Sequence, residues 1–186
     1  MTIQRRPPPG KYRLTADDFL RLDETGVFAT DRTELLDGDI VIRNAEHRPH
    51  AWIAGELGYR IRRALEEAGG GMYAMSASVA LSEHDMPLPD VVLTHEPRGP
   101  GPIPLRSVAL VIEVASSTLD RDMRDKLPIY ARARVPEYWV ADVNGRVIHQ
   151  MWRPEGDAYA ERREVPFGAP IAAATIEGLA VETSAL

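Results

Sequence analysis

The chain has 186 residues, of which 44% are hydrophobic and 27% charged, a composition typical of one folded domain that excludes a largely disordered protein. The 28 acidic residues outnumber the 22 basic ones and give a net charge of −6. This charge opposes long-range attraction to nucleic acid unless the arginines are concentrated on one surface. The absence of cysteine excludes disulfides and thiolate metal sites.

No apolar run approaches the roughly 18 residues of a membrane-spanning helix. Residues 1–9 are polar and rich in proline, without the apolar stretch of a secretory signal. We therefore expect a protein of the reducing cytoplasm with no membrane partner. Residues 1–10 are predicted to form a flexible N-terminal arm. Residues 11–186 are predicted to form a single domain, because no linker long enough to divide them interrupts the chain.

The first third of the chain has the pattern of helix, hairpin and helix. Thr15 and Asp18 have the spacing of a capping box that begins a helix, and Gly26 marks its end. Asp37-Gly38 is a favoured turn pair between two short apolar runs and predicts a hairpin over residues 34–42. The apolar residues of segment 50–68 recur every four positions, which predicts a long helix with one buried face.

The rest of the chain has mainly strand patterns. Segment 107–115 is apolar at nearly every position, which predicts a central strand covered on both faces. A second helix is predicted over residues 122–134, where Pro128 should kink or loosen the first turns. Further strands are predicted at 79–81, 89–93, 137–141 and 146–152, with weaker strand patterns near Tyr159 and Val181. This order predicts an α/β fold: a mixed central sheet flanked by helices, with additional antiparallel hairpins.

Four charged residues occupy unusual positions in these elements. Asp90 begins an apolar strand, Glu113 is the only charge in segment 107–115, Glu34 opens the first hairpin, and Lys126 lies one helix after Glu113. A bare carboxylate in such a strand costs several kcal/mol unless it is paired, protonated or bound to a cation. Two carboxylates at the ends of neighbouring strands can hold Mg²⁺, and a nearby lysine can orient a water or stabilise negative charge.

Each of these residues alone also has an ordinary structural explanation. Glu113 can form a buried ion pair with an arginine, and Asp90, which follows Pro89, can be a turn or cap residue. Lys126 can be a solvated helix position, and Glu34 a charge at the edge of a hairpin. The combination of the four therefore carries the hypothesis of a shared site.

Pro89-Asp90 and Ile112-Glu113-Val114 resemble the PD-(D/E)xK superfamily of restriction-endonuclease-like proteins. More narrowly, the chain resembles the bacterial Uma-two family of endonucleases. The matching segments, in the order of the family, are residues 34–38, 88–92, 110–118, 122–126, 130–131 and 135–140. The resemblance departs from the superfamily at Ala115, where the superfamily motif has lysine.

The resemblance implies Mg²⁺- or Mn²⁺-dependent cleavage of phosphodiester bonds in nucleic acid, with DNA expected as the substrate. It implies that Asp90 and Glu113 bind the metal, that Glu34 assists, and that Lys126 supplies the cation from the following helix. His50 matches a histidine that the family often carries, so it is either a neighbour of the site or a core or capping residue. A homodimer is also expected, because nucleases of this size often pair to cut two strands.

The arginines are candidates for a phosphate-binding surface, since guanidinium binds phosphate bidentately. They cluster at Arg60, Arg62 and Arg63, at Arg121 and Arg124, and at Arg132 and Arg134, the last two also being suited to stabilise a helix end. Tyr138 and Trp139 are predicted to pack in the core. His84, His95 and His149 have no helical partner for a zinc site.

A second hypothesis from a different class stays open. The chain can be a catalytically inactive module of the same fold that acts in binding or assembly. Its acidic net charge and the displaced lysine favour this alternative. It predicts that Glu113 is paired or protonated and that no metal binds.

Overall fold

The computed structural model describes residues 10–43 and 46–186, so the predicted arm lies outside the described residues apart from Gly10. The helices are α1 (Ala16–Glu24), α2 (Arg48–Glu67), α3 (Leu119–Arg121) and α4 (Leu127–Arg132), with a 3-10 turn (Leu105–Ser107) and a π-helical turn (Asp122–Lys126). The strands are β1 (Thr33–Leu36), β2 (Asp39–Ile42), β3 (Tyr73–Met75), β4 (Val79–Ala80), β5 (Val91–Thr94), β6 (Ile103–Pro104), β7 (Val108–Ala115), β8 (Glu137–Asp142), β9 (Val147–Glu155), β10 (Ala158–Pro166), β11 (Ile171–Ala172) and β12 (Ala180–Val181).

Six strands form the central sheet, in the order β10-β9-β8-β7-β5-β3. Strands β7 and β8 pair in parallel, whereas the other neighbours in this sheet are antiparallel. Seven of the eight residues of β7 are buried, as its apolar sequence predicts. Three further pairs of short strands lie outside the central sheet: β1-β2, β4-β6 and β11-β12. The predicted α/β fold with a mixed sheet and additional hairpins is confirmed.

Helices cover both faces of the sheet. Alternate residues of β7 point to opposite faces, so they pack against different helices. On one face, Ile112 packs in a cluster with Leu57 of α2. On the other face, Val111 packs in a cluster with Ile129 and Tyr130 of α4. Glu113 shares the parity of Val111, so its carboxylate is directed toward α4.

Local sequence determines the ends of the first two helices and the first turn. The capping box of Thr15 and Asp18 is confirmed, with both reciprocal hydrogen bonds present. Asp37 and Gly38 have φ values of 50° and 80°, as a two-residue hairpin turn requires. Helix α2 ends at Glu67, before three glycines with positive φ.

The helical segment after β7 begins at Leu119, three residues earlier than predicted, and widens into the π-helical turn just before Pro128. Proline cannot donate a backbone hydrogen bond into the preceding turn, which favours a locally loosened helix. The predicted loosening is therefore confirmed. Its consequence is that Asp122 and Lys126, at the two ends of the π-helical turn, are both buried.

Among the residues that the structure describes, no helix combines the length and the hydropathy needed to cross a bilayer. The organisation of residues 11–186 as a single domain stays a prediction.

Candidate active site

Asp90 lies directly before β5, and its side chain is only 3% exposed. Its Oδ1 atom accepts a hydrogen bond of 2.7 Å from the Arg43 guanidinium. Its Oδ2 atom accepts a 2.7 Å bond from the backbone N–H of Val114 and lies 3.2 Å from Nε2 of His50. Asp90 is therefore held by three elements: the end of the first hairpin, the start of α2 and the central strand.

Opposing effects act on the pKa of Asp90. Burial raises it, but the hydrogen bond from His50 and the positive charge of Arg43 lower it more, so the pKa lies well below its usual range. Asp90 therefore remains an anion at every pH at which the protein would work. A permanent buried anion is what a cation site needs.

Glu46 and His50 complete a group of metal-ligating side chains around Asp90. Ligand atoms of these three residues all lie within 4.8 Å of one another, the one such group found among residues 10–43 and 46–186. The hydrogen bond with Asp90 raises the pKa of His50 despite its burial. Nδ1 of His50 is buried without a hydrogen-bond partner in the same residues and lies 3.7 Å from Oε2 of Glu46.

Lys126 is the centre of a second buried cluster. Its ammonium group donates a 2.7 Å hydrogen bond to Oε1 of Glu34 and a 2.9 Å bond to Oε1 of Glu113. Tyr130 donates its hydroxyl to the same oxygen of Glu113 at 2.7 Å. The side chains of Lys126, Glu34 and Glu113 are at most 2% exposed. One ammonium group thus binds two carboxyl groups.

Burial raises the pKa of Glu113 to about 8; the charge of Lys126 opposes this, while the charge of Asp90 adds to it. Burial also acts to lower the pKa of Lys126, but the charges of Glu113 and Glu34 prevail and raise it. Near neutral pH, Lys126 is therefore protonated, and burial favours the protonated form of Glu113.

We expect the free energy of unfolding of Glu113→Gln to exceed that of the wild type by an amount that grows as the pH rises from about 5 to 8. The folded wild-type chain keeps a proton on Glu113 above its ordinary pKa of 4.5, whereas the unfolded chain releases it. Wild-type stability therefore falls through this window, by ~1.4 kcal/mol for each unit of pKa shift, and the variant escapes the loss. Urea unfolding of both proteins at several pH values measures the difference in their free energy of unfolding. The titration of His50 contributes equally to both proteins and cancels in that difference. A difference that stays constant from about pH 5 to 9 would contradict this assignment.

The segment from Leu88 to Asp90 joins the two clusters. The N–H of Leu88 donates to Oε1 of Glu34, and its carbonyl accepts from Arg43, which also binds Asp90. Asp90 and Glu113 lie on neighbouring antiparallel strands, one position beyond the Val91–Ile112 pair. The structure thus places all four predicted residues, Glu34, Asp90, Glu113 and Lys126, around one short segment.

Two carboxylate oxygens in this region lack hydrogen-bond donors among the described residues. Oε2 of Glu34 is buried without a partner. Both hydrogen bonds to Glu113 use Oε1, which leaves its Oε2 without a donor in the same residues. A buried oxygen such as Oε2 of Glu34 is normally satisfied by water or a cation.

The donor set fits a divalent cation. It combines carboxylate oxygens from Glu46 and Asp90 with an imidazole nitrogen, and the unpartnered Nδ1 of His50 leaves a lone pair or a proton uncommitted. Carboxylate oxygens suit Mg²⁺ and Mn²⁺, and imidazole is a common ligand of transition-metal ions.

Arg43 and Glu46 belong to the site but were not predicted from the sequence, and His50 was predicted only as a neighbour. The spacing of Glu46 and His50, four residues apart, could have indicated a pair of ligands. No sequence pattern indicated Arg43, because its partner Asp90 is 47 residues away in the chain.

Most of the candidate phosphate-binding arginines form ion pairs instead. Arg60 pairs with Glu56, Arg63 with Glu67, Arg124 with Asp120 and Arg132 with Asp37. Tyr138 and Trp139 are fully buried, so their prediction as core residues is confirmed. Arg62 and Arg121 line cavities on either side of the Asp90 cluster.

Comparison with known proteins gives the family and the fold of the chain. A family model described as "Putative restriction endonuclease", Uma2, matches residues 16–184. The crystal structure of "a putative nuclease belonging to DUF820" from Anabaena variabilis is similar, with a TM-score of 0.63 and 18% identity over 86% of this chain and 88% of that chain. At that identity the likeness shows the fold. A search of curated proteins finds no match.

Proposed function

Since the chain belongs to the Uma2 family, described as "Putative restriction endonuclease", we propose that it is a metal-dependent endonuclease that hydrolyses phosphodiester bonds of nucleic acid, DNA being the expected substrate. The observation that carries the proposal is the convergence of Glu34, Asp90, Glu113 and Lys126 around residues 88–90. Burying this much charge costs folding free energy, and such clusters are typical of functional sites.

Asp90 is proposed as the central metal ligand, with His50 and Glu46 as its partners. Glu113 lies outside that group and is proposed as a second acid because of the resemblance to the superfamily. A divalent cation bound there would polarise a phosphoryl oxygen and lower the pKa of a bound water. Arg43 fixes the position of the Asp90 carboxylate and leaves Oδ2 directed toward His50. Glu34 supports the arrangement through Lys126 and Leu88.

Lys126 is proposed to act as a fixed positive charge. Its raised pKa keeps it protonated, so it cannot accept a proton from the attacking water. Two of the three hydrogens of its ammonium group bind Glu34 and Glu113, which leaves one for a buried water. In this role it orients the acids and stabilises negative charge that develops during cleavage.

The proposal is tested by incubating the purified chain with single-stranded and double-stranded DNA in Mn²⁺, Mg²⁺ or EDTA. We expect cleavage with Mn²⁺, slower cleavage with Mg²⁺, and none with EDTA. Internal cuts in circular DNA establish an endonuclease. Cleavage that persists in EDTA, or no cleavage of either DNA form with any divalent ion, would contradict the proposal.

The finer parts of the proposal rest on the resemblance to the superfamily. They are the preference for DNA over RNA and action as a homodimer. Location in the cytoplasm is proposed separately, from the cysteine-free composition. Sedimentation at micromolar concentration tests the dimer, and a monomer would remove that part alone.

One observation favours the second candidate function, a catalytically inactive module. Glu113, which that hypothesis expects to be paired or protonated, is hydrogen-bonded to Lys126 and Tyr130 and has a raised pKa. Calorimetric titration with Mn²⁺ separates the two candidates. Tight binding that requires Asp90 supports the nuclease, and no binding supports the inactive module.

A further inference from the structure

A cavity of about 320 Å³ opens beside the Asp90 cluster, between the start of α2 and the loop that follows β7. Its lining consists of Arg43, Glu46, His47, His50, residues 116–118 and Arg121. Its volume lies at the lower end of the range of ligand sites, about 300–1,000 Å³. Three of the lining residues, Arg43, Glu46 and His50, also belong to the site already described.

Arg121 differs from the other cations of this region. Its Nε atom is buried and has no hydrogen-bond partner among the residues that the structure describes. The carboxylate of its neighbour Asp122 instead accepts from the hydroxyl of Thr118 at 2.6 Å. Arg43, by contrast, is committed to Asp90 and Leu88. Arg121 therefore lines the cavity with a side chain whose buried Nε–H has no acceptor among the described residues.

An unpartnered buried N–H of a guanidinium is unfavourable until an acceptor fills the space in front of it. Phosphate is a well-suited acceptor because its oxygens match the planar donors of arginine. The exposed side chain of Ser117 adds a hydroxyl donor on the same wall. Glu46 is the one acidic residue of the lining, and it lies on the side of the Asp90 cluster.

We propose that this cavity binds a phosphate group of a nucleic-acid strand next to the cleavage site, with Arg121 as its main donor. The inference rests on the nuclease function proposed above, whose strand would have to pass Glu46, His50 and Asp90. Arg121 would thus be a positioning residue of the proposed nuclease site. It would bind the phosphate next to the scissile phosphate and so hold the scissile phosphate in place.

The test measures binding of a fluorescein-labelled 12-nucleotide single strand by fluorescence anisotropy in EDTA, so that no metal or cleavage is involved. We expect Arg121→Ala to weaken binding about tenfold, and to reduce the slope of log affinity against log salt by about 0.7, the value for one phosphate on a single strand. Binding by Arg121→Lys should lie between that of the wild type and that of Arg121→Ala, because lysine keeps the positive charge but lacks the planar donor group of arginine. Mn²⁺ affinity, measured by calorimetry, should not change.

The matched control is Arg124→Ala, which removes an exposed arginine of the same segment that pairs with Asp120 at 3.4 Å. It should change binding by less than about twofold. Equal effects of the two variants, or wild-type binding by Arg121→Ala in a chain that cleaves DNA, would overturn the inference and leave the nuclease intact. A wild-type chain that neither binds nor cuts the strand overturns both proposals. Arg121-dependent binding without cleavage supports the phosphate site and removes the nuclease.

Discussion

Asp90→Asn should lower Mn²⁺-dependent DNA cleavage about a thousandfold, the effect of losing several kcal/mol of charge stabilisation in the transition state. The substitution keeps the shape of the side chain and removes its negative charge. Asp90 carries that charge at working pH because His50 and Arg43 depress its pKa. Asparagine leaves Arg43 without its 2.7 Å ion pair and offers the metal only a neutral oxygen.

The measurement is the initial rate of cleavage of a labelled duplex over a range of Mn²⁺ concentrations. Because a lost ligand weakens the site as well, saturation with Mn²⁺ should shift to higher concentration and should not restore the rate. If Asp90→Asn cut as fast as the wild type at every Mn²⁺ concentration, Asp90 would not belong to the active site.

Asp85→Asn is a matched control for this substitution. Asp85 is as buried as Asp90, at 9% exposure against 8%, and it accepts hydrogen bonds from the Asp37 N–H and the Ser82 hydroxyl. It lies at the first hairpin, outside the two charged clusters. The variant should lose some stability and keep cleavage within about threefold, since hydrogen bonds of this kind contribute ~1 kcal/mol each to folding.

Features that depend on neighbouring residues were predictable from the sequence. The buried strand β7 follows from its unbroken apolar run, and the turn at Asp37-Gly38 follows from residues that tolerate positive φ. The loosened helix before Pro128 follows from the missing N–H of proline. In each case the physical cause lies within a few residues of the effect.

Glu137 shows why other features were not predictable. It is fully buried in β8, and its carboxylate accepts hydrogen bonds from Gln150 and from the backbone N–H groups of Ala174 and Thr175. The backbone donors lie 37 and 38 residues further along the chain. No local pattern shows where such a partner will be, so the sequence presented Glu137 only as a charge at the start of a strand.

Some residues of the candidate site were predictable from the sequence, and others were not. Glu113 was detectable as a charge in an apolar strand, and Asp90, Glu34 and Lys126 were singled out by their positions in the predicted elements; the resemblance to a family then gave the four residues their roles. The cluster of Glu46 with His50 and Asp90 was not predicted, because it requires the start of α2 to meet the start of β5. The burial of Lys126 likewise depends on the π-helical turn, which sequence spacing shows only as a weakened helix.

The largest expected loss of stability comes from Lys126→Met. Methionine fills a similar volume but leaves Glu34, whose side chain is fully buried, without a cation within hydrogen-bonding distance. Removing one partner of a buried ion pair costs ~3–5 kcal/mol, because the remaining charge is uncompensated. Cleavage should fall as well, since the positive charge that orients Glu34 and Glu113 is lost.

The double variant Glu34→Gln with Lys126→Met keeps the test meaningful if the single variant does not fold. It removes both charges of the pair, so it should be destabilised by less than Lys126→Met alone, although it should still lack cleavage activity. Urea unfolding of the wild type, both single variants and the double variant gives the coupling between the two residues. A single Lys126→Met variant that unfolds at the same urea concentration as the wild type would contradict a stabilising ion pair between Lys126 and Glu34.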